Sequence, residues 1–507
     1  MSEISSLIRL HPDDNVAIAV RALERGETFG EFAVVENIPA LHKVAVRDIG
    51  AGERVLKYRQ TIGLAEGEIR AGAHVHDHNC RVASLQRDYD PCGAARVTEI
   101  VPETGRAFFQ GFRRANGKVG TRNFLGVITS VNCSGTVANQ IAARLNASQA
   151  VAESDHIDGV VPLVHGTGCG MRAEGEGFET LRRTLRGYAA HPNFGGVLIV
   201  GLGCEAMQIE PMLAEYGLAE SDTLRYLTIQ DAGGTREAIE RGLGLFGDML
   251  PGVAGARRES VPASELTLAL QCGGSDALSG VTANPALGAA VDLLVAQGGT
   301  AILSETPEIY GAEHLLVSRA REPAVAEALI ERVRWWEDYT RRTGDELNNN
   351  PSPGNLKGGL TTILEKSLGA VAKGGSTDLC GVYRYAQPVD RKGLVFMDSP
   401  GFDPASVTGQ VAAGANVICF TTGRGSAFGF KPVPSLKLAS NSDIFRRMSE
   451  DMDLDCGDIV ERGVDVQAKG REIFQAVLAT ASGRPTRSEE LDYGLNEFTP
   501  WQIGAVL

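Results

Sequence analysis

Leu266-Thr-Leu-Ala-Leu-Gln-Cys-Gly-Gly-Ser-Asp-Ala-Leu-Ser-Gly-Val-Thr-Ala-Asn-Pro285 decides the fold. It opens as a short apolar run over residues 266–270 that reads as a buried strand. The run breaks into Cys272-Gly-Gly-Ser-Asp276, where small and polar residues let the backbone approach a bound group closely. Asn284 then offers a helix N-cap and Pro285 a first helical residue, and Leu287, Ala290, Val291, Leu294 and Val295 share one helical face. Gly298 and Gly299 stop that helix, and residues 300–303 form a second apolar run. Strand, polar loop, helix and strand make a βαβ unit, which requires a parallel sheet. Ligands of open parallel sheets bind at the carboxyl ends of the strands, and that end carries a thiol, Cys272, and a carboxylate, Asp276.

The same alternation runs through the chain from residue 108 onward. Residues 124–131 read as a strand leading into Asn132-Cys-Ser-Gly-Thr136 and a helix through Leu145. Residues 160–164 lead into His165-Gly-Thr-Gly-Cys-Gly170, and residues 196–200 into Gly201-Leu-Gly-Cys-Glu205. Residues 394–397 lead into Asp398-Ser-Pro-Gly401, and residues 417–420 into Thr421-Thr-Gly-Arg-Gly-Ser426. With residues 266–270 this gives six strands, four of which deliver a cysteine close to their carboxyl end. The fold class is therefore α/β with parallel-sheet domains.

Upstream the pattern is different. Residues 1–80 carry short β signals at 7–10, 32–35, 42–46, 55–58 and 71–76, with one short helix expected from Asp13 or Asp14 to Glu24, and read as a small, mostly β domain. That domain ends in His74-Val-His-Asp-His78, where strand alternation places three imidazoles on one face, suited to a metal or to an exposed polar edge. Residues 81–107, with Pro91 and Pro102 and few periodic apolar positions, read as a linker, and Cys80 and Cys92 beside and within it as incidental. A middle α/β domain over 108–258 and a carboxyl-terminal one over 259–507 complete the expected division.

Composition limits the function. A chain of 507 residues exceeds one core, and 43% hydrophobic residues with 61 glycines describe a globular, turn-rich protein. A net charge of -14 argues against a nucleic-acid surface and leaves an anionic small substrate dependent on locally placed Arg and Lys. No long apolar window implies a membrane span, and the amino terminus lacks a signal-like segment, so a cytoplasmic protein is expected. Nine cysteines, an odd number spread through an acidic chain, suit reduced thiols.

The strand-end loops offer Cys169, Cys204, Glu205, Cys272, Asp276 and His165, thiolate, carboxylate and imidazole ligands suited to iron, manganese or zinc, without the spacing of a CxxC zinc site. Two other readings compete. Gly201-Leu-Gly-Cys-Glu-Ala206 fits a dinucleotide fingerprint, with Asp231 near the position of a ribose-binding acid, which would make the protein an NAD-dependent oxidoreductase. One Cys with His165 could serve as a nucleophile and base. Arg113, Arg114, Asn116, Lys118, Arg122 and Asn123 precede the first middle strand, and Arg424 sits on a flexible loop; arginines grip carboxylates and side-chain amides hold hydroxyls, as a sugar acid requires. The long loop Asn348-Asn-Asn-Pro-Ser-Pro-Gly-Asn-Leu-Lys-Gly-Gly359 could cover a pocket or connect elements on the surface.

Read together, Gly111-Phe-Arg-Arg-Ala-Asn-Gly-Lys-Val-Gly-Thr-Arg-Asn123, Gly201-Leu-Gly-Cys-Glu205, the 271–285 stretch, Asn350-Pro-Ser-Pro-Gly-Asn355 and Thr422-Gly-Arg-Gly425 resemble the altronate and galactarate dehydratase family over nearly the whole chain. His11-Pro-Asp-Asp-Asn-Val-Ala17 and His42-Lys-Val-Ala45 resemble that family's β-clip domain. The resemblance implies a β-clip (SAF-like) domain over 1–80, a linker, a middle domain that can form a homodimer, and a carboxyl-terminal Rossmann-like, metal-binding domain. It implies a hydro-lyase that converts a sugar acid to a 2-keto-3-deoxy acid with Fe2+ or Mn2+, or with an iron-sulfur cluster on three cysteines. On that basis Cys169, Cys204, Glu205, Cys272, His74 and His76 are the candidate metal ligands, and His42, His165, Lys118, Arg122, Asn123, Asp276 and Arg424 the candidate catalytic residues. The alternative from another class is a non-catalytic sugar-acid-binding protein. The His-rich run at 74–78 is closer to the altronate branch, whereas Pro39-Ala-Leu-His42 and His165-Gly-Thr-Gly-Cys169 depart from the family pattern and leave the sugar acid open.

Overall fold

The computed structural model describes residues 6–82 and 88–505. The amino-terminal part is antiparallel β structure. Leu7–Ile8, Val16–Ala19, Lys43–Ala45 and His74–Val75 form one sheet in that order, and Arg54–Lys57, Gln60–Ala65 and Cys80–Arg81 a second. The helix expected from Asp13 or Asp14 is absent among these residues: Val16–Ala19 is a strand with all four residues buried. Asp14 does not cap a helix, because its carboxylate accepts the main-chain N–H groups of His11, Tyr58 and Arg59 and so pins a turn. The linker lies along the carboxyl-terminal domain, with Cys92 and Ala94 N–H donating to Val317 and Ser318 carbonyls.

The middle part holds a four-stranded parallel sheet in the order Val160–Leu163, Phe124–Thr129, Phe194–Gly201, Leu224–Thr228. Phe194–Gly201 is buried along its whole length, which explains its unbroken apolar run. Helices Gly135–Asn146 and Thr235–Gly255 pack on one face through Val137, Ile141, Phe246 and Met249. Val119–Gly120, Phe108–Arg113 and Glu259–Pro262 make a small antiparallel sheet where the chain enters and leaves this unit.

The last part is built on a seven-stranded, all-parallel sheet in the order Leu379–Tyr383, Gly393–Met397, Thr300–Leu303, Thr267–Cys272, Val417–Thr422, Ser435–Ala439, Leu454–Asp455. The chain starts in the centre at Thr267–Cys272, builds outward on one side, then crosses back to Val417–Thr422 on the other. Those two strands pair directly, so the topological switch point, where ligands bind in such sheets, lies between the Cys272 and Arg424 loops. Helices Ala283–Ala296 and Val466–Ala481 cover one face. Asp403–Ala413 covers the other and packs on the middle unit's Glu176–Ala189, joining the two parallel sheets through one core. Gly187 permits that approach: a Cβ there would lie 2.2 Å from the Ala412 carbonyl oxygen. The N-cap position of helix Ala283–Ala296 is Thr282, two residues before Asn284, and the Asn284 side chain instead donates to Gly369 O and accepts from Thr421 Oγ1. Among the described residues no helix is long and apolar enough to cross a membrane.

Candidate active site

Cys272 ends the central strand with 2% of its surface exposed. The neighbouring strand Thr300–Leu303 ends in Ser304-Glu-Thr-Pro-Glu308, so register alone brings Glu305 and Glu308 to the same edge. Glu305 sits in the left-handed region at φ 71, a conformation that costs a non-glycine residue about 1–3 kcal/mol and is found where geometry serves a site. Sγ of Cys272 and carboxylate oxygens of Glu305 and Glu308 lie within 4.8 Å of one another, all buried, and they are the one such trio of His, Cys, Asp or Glu among the described residues.

Two lysines balance this charge. Lys373 Nζ is 2.8 Å from Cys272 Sγ and 3.9 Å from Glu305, and Lys366 Nζ is 2.7 Å from Glu308 Oε1 and 2.7 Å from Asn350 Oδ1. Burial pushes the Cys272 thiol up to about 12 and raises the Glu305 carboxyl well above its usual range. Burial also opposes ionisation of Glu308, but Lys366 and Lys373 prevail and hold it below the usual value. Neither Glu305 oxygen has a hydrogen-bond donor, although both are buried. An orphaned buried acceptor pair is costly unless a cation satisfies it. One thiolate and two carboxylates suit a divalent ion such as iron or manganese, so the residues present fit the metal that the resemblance implies.

A cavity of about 460 Å³ opens onto Cys272 and Glu308 of this trio, its wall also including Trp336, Asn350, Ser352, Asn355 and Asp403. The loop expected over residues 348–359 is thus part of the cavity wall. It is ordered by a capping box between Ser352 and Asn355 at the start of helix Pro353–Lys357, and by Asn355 Nδ2 donating to Ser275 O. Asp403 stands over Gly273, where a Cβ would come within 2.3 Å of its carboxylate. Burial, then the charge of Glu308, raises Asp403 to about 7.

The other residues singled out from sequence are distributed as follows. Asp276 is buried and accepts from Ser279 N, Ser279 Oγ, Ser440 Oγ and Asn441 Nδ2, which makes it the anchor of the Cys272 loop. Arg424 is half-buried, its main-chain N–H donating to Gly274 O, and its guanidinium pairs with no carboxylate among the described residues. His42, His74 and His76 gather where the amino-terminal domain meets residues 357–361: His42 Nδ1 is 2.9 Å from His74 Nε2, and His76 Nδ1 is 3.3 Å from Thr361 Oγ1. Burial lowers His74 to about 3 and His76 to about 4. Lys118 is exposed in the turn before Val119–Gly120. Arg122 is bound through two nitrogens to Glu489 at 2.6 and 2.8 Å, and Asn123 donates to the His156 and Val253 carbonyls, both at the amino end of the middle sheet. His165 is buried, its Nε2 2.9 Å from Thr129 O and its Nδ1 accepting from Thr167 N–H.

Cys169, Cys204 and Glu205 belong to the four-stranded sheet and Cys272 to the seven-stranded one, so the candidate ligands read from sequence are divided between the strand ends of two sheets. Glu205 is buried and accepts from Ser130 Oγ and Gly203 N–H, both at 2.6 Å, so the glycine-rich loop spends a main-chain donor on its own carboxylate rather than offering it to a dinucleotide. Glu305, Glu308, Lys366, Lys373 and Asp403 escaped the sequence reading. Glu305 and Glu308 carried a legible signal, since they follow the second strand of the same βαβ unit; the two lysines and Asp403 lie on helices whose placement needs tertiary structure.

Comparison with known proteins agrees with this architecture. Residues 5–83 match the altronate/galactarate dehydratase SAF domain, residues 111–254 the D-galactarate dehydratase/altronate hydrolase second domain, and residues 263–506 the D-galactarate/altronate dehydratase C-terminal domain. The chain is 34% identical over 500 residues to altronate dehydratase of Bacillus subtilis (strain 168), covering 97% of this chain and 98% of that protein. It is 36% identical over 486 residues to galactarate dehydratase (L-threo-forming) of Escherichia coli (strain K12), covering 94% and 93%. It is also 32% identical over 395 residues to the (2R)-sulfolactate sulfo-lyase subunit beta of Chromohalobacter salexigens, covering 77% and 96%. With three successive domain matches and full-length relatives, the chain belongs to the altronate/galactarate dehydratase family of hydro-lyases.

Proposed function

We propose that this chain removes water from a sugar acid, an altronate-like aldonate or an aldarate, to give a 2-keto-3-deoxy acid, in the cavity lined by Cys272 and Glu308. The observation that carries the reading is the buried thiol and carboxylate pair, beside two ammonium groups, at the carboxyl edge of a parallel sheet. A proton α to a carboxylate is very weakly acidic, so its removal needs stabilisation of the enolate-like charge and a nearby base. An Fe2+ or Mn2+ ion held by Cys272 Sγ and the Glu305 and Glu308 carboxylates would supply Lewis acidity for both the enolate charge and the departing hydroxyl. Lys373 and Lys366 keep the three acidic ligands compact by balancing their charge. Asp403, on the cavity wall and raised to about 7, is the carboxyl placed to take or return a proton near neutrality. Arg424, at the switch point and with no carboxylate partner among the described residues, suits the substrate carboxylate, and Asn349 and Glu346 in the wall suit its hydroxyls.

The same reading covers the finer architecture: a β-clip for the antiparallel amino-terminal sheets, a Rossmann-like carboxyl-terminal domain, a homodimer through the middle domain, and a cytoplasmic setting suited to nine cysteines that are all free. The test is anaerobic reconstitution with Fe2+ or Mn2+, then a screen of aldonates and aldarates with a colour assay for 2-keto-3-deoxy acids, beside Cys272→Ala. Metal-dependent product from one acid, lost in the variant, is expected. Bound metal with no product from any acid would overturn the reading.

A further inference from the structure

Three of the nine cysteines, Cys133, Cys169 and Cys204, are exposed. Each follows one of three adjacent strands of the middle sheet, Phe124–Thr129 in the centre with Val160–Leu163 and Phe194–Gly201 on its two sides. Their loops are tied together by main-chain hydrogen bonds: Asn132 N–H to Thr167 O at 3.0 Å, and Met207 N–H to Gly168 O at 3.1 Å, the second joining the two outer loops directly. Buried side chains brace the same arrangement. Glu205 bridges Ser130 on the Cys133 loop and Gly203 on the Cys204 loop, and His165 links Thr129 to the Cys169 loop. The loops touch only because glycine permits it, since a Cβ on Gly168, at φ 98, would lie 2.1 Å from Ser130 O.

From this geometry we infer that Cys133, Cys169 and Cys204 hold a [4Fe–4S] cluster, at a site separate from the Cys272 cavity. Packing does not explain the trio, because none of the three thiols is buried, and exposed reduced thiols are an oxidation hazard. The three sulfurs are not all within 4.8 Å of one another, too spread for one ion, whereas a cubane takes each thiolate on a different iron. Assembly balances as two ferrous ions, two ferric ions and four sulfides, with the three thiols giving up their protons to solvent; one iron is left without a protein thiolate. Cys169 also borders a small cavity of about 50 Å³ shared with Trp501, whose ring stacks 5.4 Å from that of Trp336 in the wall of the Cys272 cavity. The two sites thus adjoin through an indole pair and share no ligand.

The inference does not rest on the dehydratase reading, and its test is independent of turnover. The full chain is incubated anaerobically with ferrous and ferric iron, sulfide and a thiol reductant, desalted, and assayed for iron, sulfide, visible charge-transfer absorption and, after reduction, electron paramagnetic resonance. About four iron and four sulfide per chain above the mononuclear content are expected, lost in C133S, C169S and C204S and retained in C272A. Where a variant unfolds, alkylation of the wild-type chain decides instead, since loading should protect these three thiols alone. No bound sulfide, a single zinc or iron without sulfide, or loss confined to C272A would overturn the assignment.

Discussion

Glu365→Gln removes the anion on which the amino-terminal domain is docked. Glu365 lies on helix Ile363–Val371 and takes Lys43 Nζ at 2.8 Å and Lys57 Nζ at 2.7 Å, with all three side chains between 0 and 2% exposed. Lys43 also donates to Gly359 O at 2.7 Å, and Thr361 N–H donates to Glu365 at 2.9 Å. Deleting one partner of a buried ionic group leaves the others uncompensated and costs about 3–5 kcal/mol. An independent figure agrees: burial opposes ionisation of Glu365, but Lys43 and Lys57 prevail and lower it from 4.5 to about 2, which corresponds to about 3 kcal/mol. The sign follows from the lowered acid: this stability is present above pH 4.5 and is lost as pH falls toward 2. Hydrogen exchange of the full chain at pH 7 is the assay. Protected amides of Val16–Ala19 and Lys43–Ala45 should exchange roughly 100-fold faster in Glu365→Gln if local undocking is their opening route. Activity should fall with it, because His76 and Lys43 brace the segment that follows Asn355 in the cavity wall. The combination Lys43→Met, Lys57→Met, Glu365→Leu should recover much of the loss, since it removes the stranded charges. Exchange within threefold of wild type, or a triple variant as labile as the single one, would refute the reasoning.

Other perturbations separate the roles. Glu305→Gln should lower iron affinity roughly 100-fold or more without lowering the metal-free melting temperature, because burial already favours the neutral form of this carboxyl and the amide has nearly the same shape; isothermal titration and calorimetry of the metal-free chain check both signs. Arg424→Ala should raise KM for the sugar acid roughly 10- to 100-fold with a smaller change in kcat, measured by steady-state kinetics; an unchanged KM would remove Arg424 from carboxylate binding. His191 is buried with Nε2 donating to Ala415 O and Nδ1 accepting from Asn193 N–H, and burial lowers it to about 4. The folded state therefore resists protonation that the unfolded chain accepts below pH 6.5, and stability falls from pH 6.5 toward 4 by up to about 3 kcal/mol. Denaturant melts at successive pH values should show a shallower slope in His191→Gln.

Much of the fold was legible because parallel strands and their helices leave strong local signals. Thr300–Leu303 matches its expected bounds, and Thr267–Cys272, Phe124–Thr129 and Val417–Thr422 lie within two residues of theirs. The failure at Val16–Ala19 has a physical cause: a helix from Asp13 or Asp14 to Glu24 cannot compete with two antiparallel partners and with an Asp14 carboxylate committed to a distant turn. Leu454–Asp455, at the sheet's edge, was unread because two residues carry too little pattern, and the interior strand Ser435–Ala439 because Ser435 and Lys437 interrupt its short apolar run.

For the site, sequence by itself determined which chemistry each loop can deliver, since a cysteine or carboxylate just past an apolar strand must reach the sheet's carboxyl edge. It did not determine which loops meet. Strand order is set by long-range pairing, and only the tertiary structure divides the cysteines between two sheets, Cys272 with Glu305 and Glu308 in one, Cys133 with Cys169 and Cys204 in the other. It also decides that Arg122 and Asp276, charged residues on promising loops, spend their hydrogen bonds on the chain itself, while Arg424 keeps its guanidinium free of carboxylates among the described residues. A residue's type fixes what it can bind, but whether it is available depends on every neighbour that folding brings within hydrogen-bond reach.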